Sequence, residues 1–327
     1  MFNTRITEFF GIRHPIVAGG MQWHSTADYV AAAANCGIMG FITAGSYPDL
    51  EVLRDVISRC RDAAGGNPFG VNVSMLPKLV EEETTERVFD LIVAEGVRFV
   101  ETSGRNPAAY LPRLHAAGIK VLHKVPTVRH ARKAQAAGVD AVAVVGAECG
   151  GHPGLDLVGT FVQAAVAARD ISIPLLVGGD VGTGSHIVAA LALGAEGVII
   201  GTRFLVAEEI WAHRSYKECL VAADETDTTL MLKSVRNTVR ALKNKTSEIV
   251  LQLEREHGED IDISVLMPYI AGKVGRRAYE TGDTSLGALA TGQSVAFADR
   301  IEPLAEIVRR LGEESLVALE RLKRLTA

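Results

Sequence analysis

The sequence is poor in cysteine, in aromatic side chains and in any excess of positive charge. Its four cysteines, Cys36, Cys60, Cys149 and Cys219, are scattered with no Cys-x-x-Cys pair. That spacing supports neither a zinc site nor a disulfide framework, and it suits a reducing compartment. Acidic residues number 39 against 34 lysines and arginines, a formal charge of -5, with the two signs mixed along the chain. Such a balance offers no electrostatic footprint to nucleic acid or to an anionic membrane, so a small-molecule partner is expected. Long hydrophobic runs are missing as well. The opening MFNTRITEFF carries no apolar signal segment, and the greasiest stretch, 187–206, is interrupted by Gly194, Glu196, Gly197 and Gly201. The expected location is therefore the cytoplasm. A G-x-G-x-x-G fingerprint opening the first helix is also absent, since the first turn reads Gly19-Gly20-Met21-Gln22-Trp23. This counts against a doubly wound dinucleotide-binding sheet.

What is present is a repeated unit. A short apolar strand, a glycine or polar turn and a helix of period 3.6 recur through the first two-thirds of the 327 residues. Strands are predicted at 16–18, 38–43, 69–73, 98–101, 121–124, 141–145, 174–177 and 197–200. Helices are predicted near 27–35, 48–63, 79–95, 108–117, 128–137, 161–168 and 185–193. Several of them stop at a glycine that suits a left-handed C-cap, among them Gly37, Gly118, Gly138 and Gly194. Eight strands alternating with helices predict an α/β chain folded as a (β/α)8 TIM barrel. Beyond about Leu205 the alternation ends. Residues 208–276 read as a smaller helical substrate domain inserted after the eighth strand and capping the mouth, with 1–207 and 277–327 as the barrel and 299–325 as a closing amphipathic helix.

In such a barrel the chemistry lies just beyond the C-terminal ends of the strands. The sixth strand runs into Gly146, Glu148, Cys149, Gly150, Gly151, His152, Pro153 and Gly154, a glycine-rich loop able to lie flat against a ligand. Its histidine can exchange protons near neutral pH. Cys149 beside His152 suggests a nucleophile pair, but no orienting acid accompanies them. His24 follows the first strand, and His123 precedes Lys124 and should point the other way. Lys124 inside the mouth would favour negative charge on a bound ring. Gly178-Gly179 and Gly201-Thr202 end the seventh and eighth strands. Either pair alone makes an ordinary tight turn, whereas the two together, in this order, point to a phosphate.

GGMQW at 19–23, NPFGVNVSMLP at 67–77, VETSG at 100–104, His123-Lys124, GAECGGHPG at 146–154 and GTRFL at 201–205 resemble the motifs of the nitronate monooxygenases, formerly called 2-nitropropane dioxygenases. The resemblance runs on into RNT at 236–238 and GDTSLG at 282–287. It implies a flavoprotein with noncovalent FMN in a TIM barrel. Gly178, Gly179, Gly201 and Thr202 would bind the FMN phosphate. Gly20, Met21, Gln22, Asn72, Ser74, Lys124, Gly150 and Gly151 would contact the ring or ribityl chain, and His152 would be the catalytic histidine. The implied activity is oxidation of alkyl nitronates with dioxygen. Leu76-Pro77-Lys78, ECGGHPG, RNT and GDTSLG are more similar to a branch that reduces quinones with NADH or NADPH, which stays open as the alternative. An enoyl reductase and a non-redox phosphate-binding barrel carry less weight, and His24 and Asp180 match neither branch. No metal is expected, and the sequence leaves the oligomeric state open, a homodimer included.

Overall fold

The computed structural model describes residues 2–75, 82–179 and 181–326. Eight parallel strands close into a barrel in chain order: β1 (Ile16–Ala18), β2 (Met39–Thr43), β3 (Gly70–Met75), β4 (Phe99–Gly104), β5 (Lys120–Val125), β6 (Ala141–Val145), β7 (Leu175–Gly178) and β8 (Gly197–Ile200). β8 returns to β1, with Ile16, Val17 and Ala18 opposite Val198, Ile199 and Ile200, so the barrel has no open edge. The predicted strands are all present. β4 runs further than expected because Thr102, Ser103 and Gly104 stay in the ladder with β3, opposite Val73, Ser74 and Met75, although their polar side chains read as a turn.

The connecting helices are α1 (Arg5–Phe10), ahead of β1, then α2 (Ala27–Asn35), α3 (Leu50–Ala63), α4 (Glu82–Ala94), α5 (Leu111–Ala116), α6 (Val128–Ala137), α7 (Thr160–Asp170) and α8 (Gly184–Ala192). Thr26, Asp49, Thr127 and Thr183 start four of them by accepting first-turn amide hydrogens. Gly138, at φ 97, ends α6 in the left-handed conformation expected of a glycine cap.

Alternation along each strand sorts the side chains into two sets. One set faces the helices. The other, including Val17, Met39, Phe41, Phe99, Leu122, Ala143, Leu176 and Ile199, fills the barrel. α1, which the sequence reading did not anticipate, closes the bottom, its Phe10 ring 5.1 Å from Phe99 and 6.1 Å from Phe41. Burying one such side chain contributes about 2 kcal/mol, so the apolar bottom stabilises the barrel and leaves its upper layer free for polar groups. The same parity carries Asn72, Glu101, Lys124 and Gly178 inward at the upper end.

Beyond β8 lie α9 (Arg214–Val221), β9 (Thr228–Met231), β10 (Val239–Leu242), α10 (Lys245–His257), α11 (Ile263–Ile270) and α12 (Gly272–Thr281). This stretch is not wholly helical as expected, because β9 and β10 pair antiparallel. The apolar spacing of Leu230, Leu232, Val235 and Val239 belongs to two short strands and their turn, where Leu232 (φ 62) and Arg236 (φ 53) are left-handed. Met231, Leu232, Val239, Ala241, Val250, Ile261 and Leu266 form a separate small core. α13 (Leu304–Thr326) then returns to the barrel and packs on α8, where Ser315 Oγ donates to the Gly184 carbonyl at 3.2 Å. Among the described residues no helix is long and apolar enough to cross a membrane.

Candidate active site

The inward parity of β4 delivers a carboxylate at the strand end to which the sequence reading assigned no role. Glu101 is wholly buried, with Oε1 2.7 Å from Lys124 Nζ. Its Oε2 accepts the Gly20 amide hydrogen at 2.9 Å. Asn72 stands opposite Glu101 in the ladder, is 1% exposed, and its Nδ2 has no hydrogen-bond partner among the described residues. Leaving such a donor unpaired costs about 1–3 kcal/mol. Gly20 lies directly on Asn72, since a Cβ at residue 20 would fall 2.5 Å from Asn72 Cβ. Ser74, nearer solvent, pairs with Ser103 at 3.1 Å.

The first turn is held by hydroxyls: Ser25 Oγ accepts from Met21 N at 2.9 Å and Ser46 Oγ from Trp23 N at 2.8 Å. Gln22 is exposed beneath the start of α12, where a Cβ on Gly272 would lie 3.4 Å from Gln22 Nε2. His24 turns away into an aromatic cluster, stacked on Tyr216 and 4.2 Å from Tyr279. Burial, aided by Lys217, pushes its pKa down to about 3, so it is a neutral packing residue. His123 points outward as its parity requires, its Nδ1 2.8 Å from Thr102 Oγ1, and burial lowers it to about 4.

The sixth loop is fixed at several points. Gly146 N donates to the Gly178 carbonyl at 2.8 Å. Glu148 accepts from the Thr160 amide at 3.0 Å and its hydroxyl at 2.9 Å, which caps α7 and makes this carboxylate structural. Arg240 of β10 exchanges two backbone hydrogen bonds with Gly151, while its Nε donates to the Ala147 carbonyl at 3.1 Å. Gly150 presses on the segment before α13, where an added Cβ would fall 2.8 Å from Gly292 N.

His152 follows this clasp and is exposed to solvent. The concave surroundings still crowd it enough to lower its pKa, and the nearby Lys124 cation acts in the same direction. Burial pushes the Cys149 thiol up to about 12 despite Lys124 and Arg240, so no thiolate nucleophile is available beside the histidine.

Gly178 lies within the β7 ladder, where Ile199 Cγ2 leaves only 2.5 Å for a Cβ. Gly179 adopts φ 122, and a Cβ there would come 2.7 Å from Thr160 Oγ1. After β8, Gly201 leads into a single helical turn over Thr202–Phe204. Thr202 Oγ1 accepts the Gly292 amide at 2.9 Å, and a Cβ on Gly201 would meet Met21 Sδ at 3.7 Å. The eighth turn thus touches the first, and through Gly292 it reaches the sixth. These contacts bring the turns after β1, β6, β7 and β8 together at one rim, with Gln22 on its outer side beneath α12, whereas His24 and His123 turn away from it. Leu76-Pro77-Lys78 and Asp180 lie outside the described residues. The Arg203 guanidinium is buried and pairs with Glu302 at 3.1 Å, which ties the eighth turn to the start of α13. Among the described residues no cluster of His, Cys, Asp or Glu is arranged to hold a metal ion.

A family model described as nitronate monooxygenase matches residues 3–314. The (3aS,4S,5R,7aS)-5-hydroxy-7a-methyl-1-oxo-octahydro-1H-indene-4-carboxyl-CoA dehydrogenase of Rhodococcus jostii is 33% identical over 71% of this chain, and the match spans 63% of that relative's own length. Its namesake from Mycobacterium tuberculosis is 29% identical over 97% of both chains. FabK from Thermotoga maritima superposes with a TM-score of 0.90 at 31% identity, covering 99% of this chain and 100% of that one. The nitroalkane oxidase of Streptomyces ansochromogenes gives 0.81 at 25% identity, covering 97% and 99%. By the match over residues 3–314 and by its barrel, this chain belongs to the nitronate monooxygenase family of oxidoreductases.

Proposed function

We propose that the chain is an FMN-dependent enzyme that oxidises alkyl nitronates with dioxygen. The observation that supports this reading is the polar layer of Asn72, Glu101 and Lys124, ringed by side-chain-free turns at the barrel mouth. FMN suits these residues. Asn72 Nδ2 lacks the acceptor that a ring oxygen or nitrogen would supply. Gly178, Gly179, Gly201 and Thr202, on two adjacent turns, would hold the phosphate. Gly20, Met21, Gln22, Asn72, Ser74, Lys124, Gly150 and Gly151 would line the ring and ribityl chain, with residues 208–276 capping the mouth. When bound, the flavin supplies the redox chemistry, taking electrons from the substrate and passing them to dioxygen.

The chain's own residues position and deprotonate. His152, with its pKa lowered, is neutral at pH 7 and offers one ring nitrogen as acceptor and the other as donor. It would take the α-proton of a neutral nitroalkane, or donate a hydrogen bond to a nitronate that arrives already ionised. Lys124 would favour the anion in the mouth, moderated by the carboxylate beside it.

A second reading, reduction of a quinone by NADH or NADPH, is favoured by the motifs at 76–78, 148–154, 236–238 and 282–287. One experiment separates them. The absorbance spectrum of the purified protein is recorded, followed by anaerobic mixing with the nitronate of 2-nitropropane, with NADH and with NADPH. Flavin absorbance bleached by the nitronate alone supports the first reading, and rapid bleaching by NADH or NADPH supports the second. A colourless protein that takes up no added FMN removes both and leaves a phosphate-ligand barrel.

A further inference from the structure

We propose that Glu101 is a positioning residue that sets the charge met by a ligand in the mouth: it anchors Lys124 and the Gly20 turn while cancelling most of the lysine's charge. The proposal rests on the FMN reading above. Packing does not explain a carboxylate here. Phe99, two residues earlier on the same face of β4, fills its layer without charge, whereas an ionised group buried at residue 101 is costly unless fully paired. Glu101 accepts a hydrogen bond at Oε2 and meets the lysine charge at Oε1, which has no hydrogen-bond partner among the described residues, and both partners are functional candidates rather than scaffold. Oε1 meets Lys124 Nζ at 2.7 Å and Oε2 accepts the Gly20 amide at 2.9 Å. The lysine side chain is 23% exposed and stands at the mouth, while the carboxylate is sealed beneath it. The pair therefore presents little net charge upward. Without the carboxylate, a full positive charge would stand beside whatever lies on Asn72 and Gly20, and it would favour the more negative, reduced form of a bound ring.

The test is the midpoint potential of bound FMN, with FMN affinity measured in parallel, in the wild type and in Glu101→Gln, Glu101→Asp and Lys124→Met. Glutamine keeps the shape and the acceptor for Gly20 but removes the charge. It should shift the reduction equilibrium at least tenfold towards the reduced flavin, about 30 mV for a two-electron couple. Aspartate keeps the charge and should stay within threefold of wild type even where FMN binds more weakly. Lys124→Met should shift the equilibrium the opposite way. A glutamine variant that binds FMN at the wild-type potential overturns the proposal, since a merely structural carboxylate would alter stability or affinity alone. If the glutamine variant does not fold, an unchanged potential in Lys124→Met overturns it equally. A wild-type protein that takes up no FMN defeats the underlying reading first, and this proposal with it.

Discussion

Gly151 and Arg240 exchange both of their backbone hydrogen bonds, at 3.0 and 2.7 Å, so a strand inserted after the barrel clasps the loop that carries His152. The Arg240 side chain reinforces the clasp through the Ala147 carbonyl and Thr228 Oγ1, both at 3.1 Å. Arg240→Ala leaves two partly buried acceptors without their donor and is expected to cost about 2–3 kcal/mol in urea denaturation. Because the loop loses its second tether, kcat should fall about tenfold with KM little changed. A stability loss with unaltered kcat would show that the clasp supports the fold and not the histidine.

His152→Ala should bind FMN as the wild type does and lose about 10²–10⁴ in turnover of neutral nitroalkanes. The pH dependence has a definite sign. The working base is the neutral imidazole, and crowding together with Lys124 disfavours its protonated form. The acid limb of kcat/KM should therefore lie below the ordinary histidine value of about 6.5. Lys124→Met should move it upward. Wild-type rates for the alanine variant with every substrate would remove the role.

Two glycine substitutions are expected to diverge. At Gly150 a Cβ would fall 2.8 Å from Gly292 N and from the Thr291 carbonyl carbon, backbone atoms that cannot rotate aside. Gly150→Ala should cost about 1–3 kcal/mol and weaken FMN binding. At Gly45 an added Cβ meets nothing within 4 Å, so Gly45→Ala should stay within about 0.5 kcal/mol. Thermal melts of both variants decide the matter, and equal effects would contradict the packing described.

Acid sensitivity should trace partly to His24. Its folded pKa of about 3 lies below the unfolded value of about 6.5. Below the unfolded value the unfolded chain takes up a proton that the folded state refuses. The histidine's contribution is thus complete above about pH 6.5 and is lost as the pH falls towards about 3. His123, lowered to about 4, adds a second share. His24→Phe keeps a flat ring between Tyr216 and Tyr279 and should flatten the fall in stability between pH 7 and pH 4. Urea midpoints with the same slope in both proteins would count against this account.

The two histidines show where sequence reading reaches and where it stops. His24 and His152 both follow inward strands in glycine-bearing turns, and local pattern separates them only weakly. Burial separates them fully: one imidazole is enclosed by Tyr216 and Tyr279, the other opens to the mouth. Glu101 was visible as a carboxylate in an apolar strand. Its importance depends on a lysine from the next strand and an amide from the first, which no local window contains. The pair β9 and β10 was misread as helix because each strand is only four residues long, too short to display a period-two alternation against the helical spacing around it.

Strand, turn and helix were readable from the chain alone because hydrogen bonds, caps and side-chain alternation act within a few residues. The glycines of the mouth were readable for the same reason, as breaks in that alternation. Which polar groups meet was settled only when eight strands closed on themselves, since closure sets each strand's neighbour and direction. That closure buried Glu101 against Lys124, and the inserted strand beside Gly151 then held His152 at the rim.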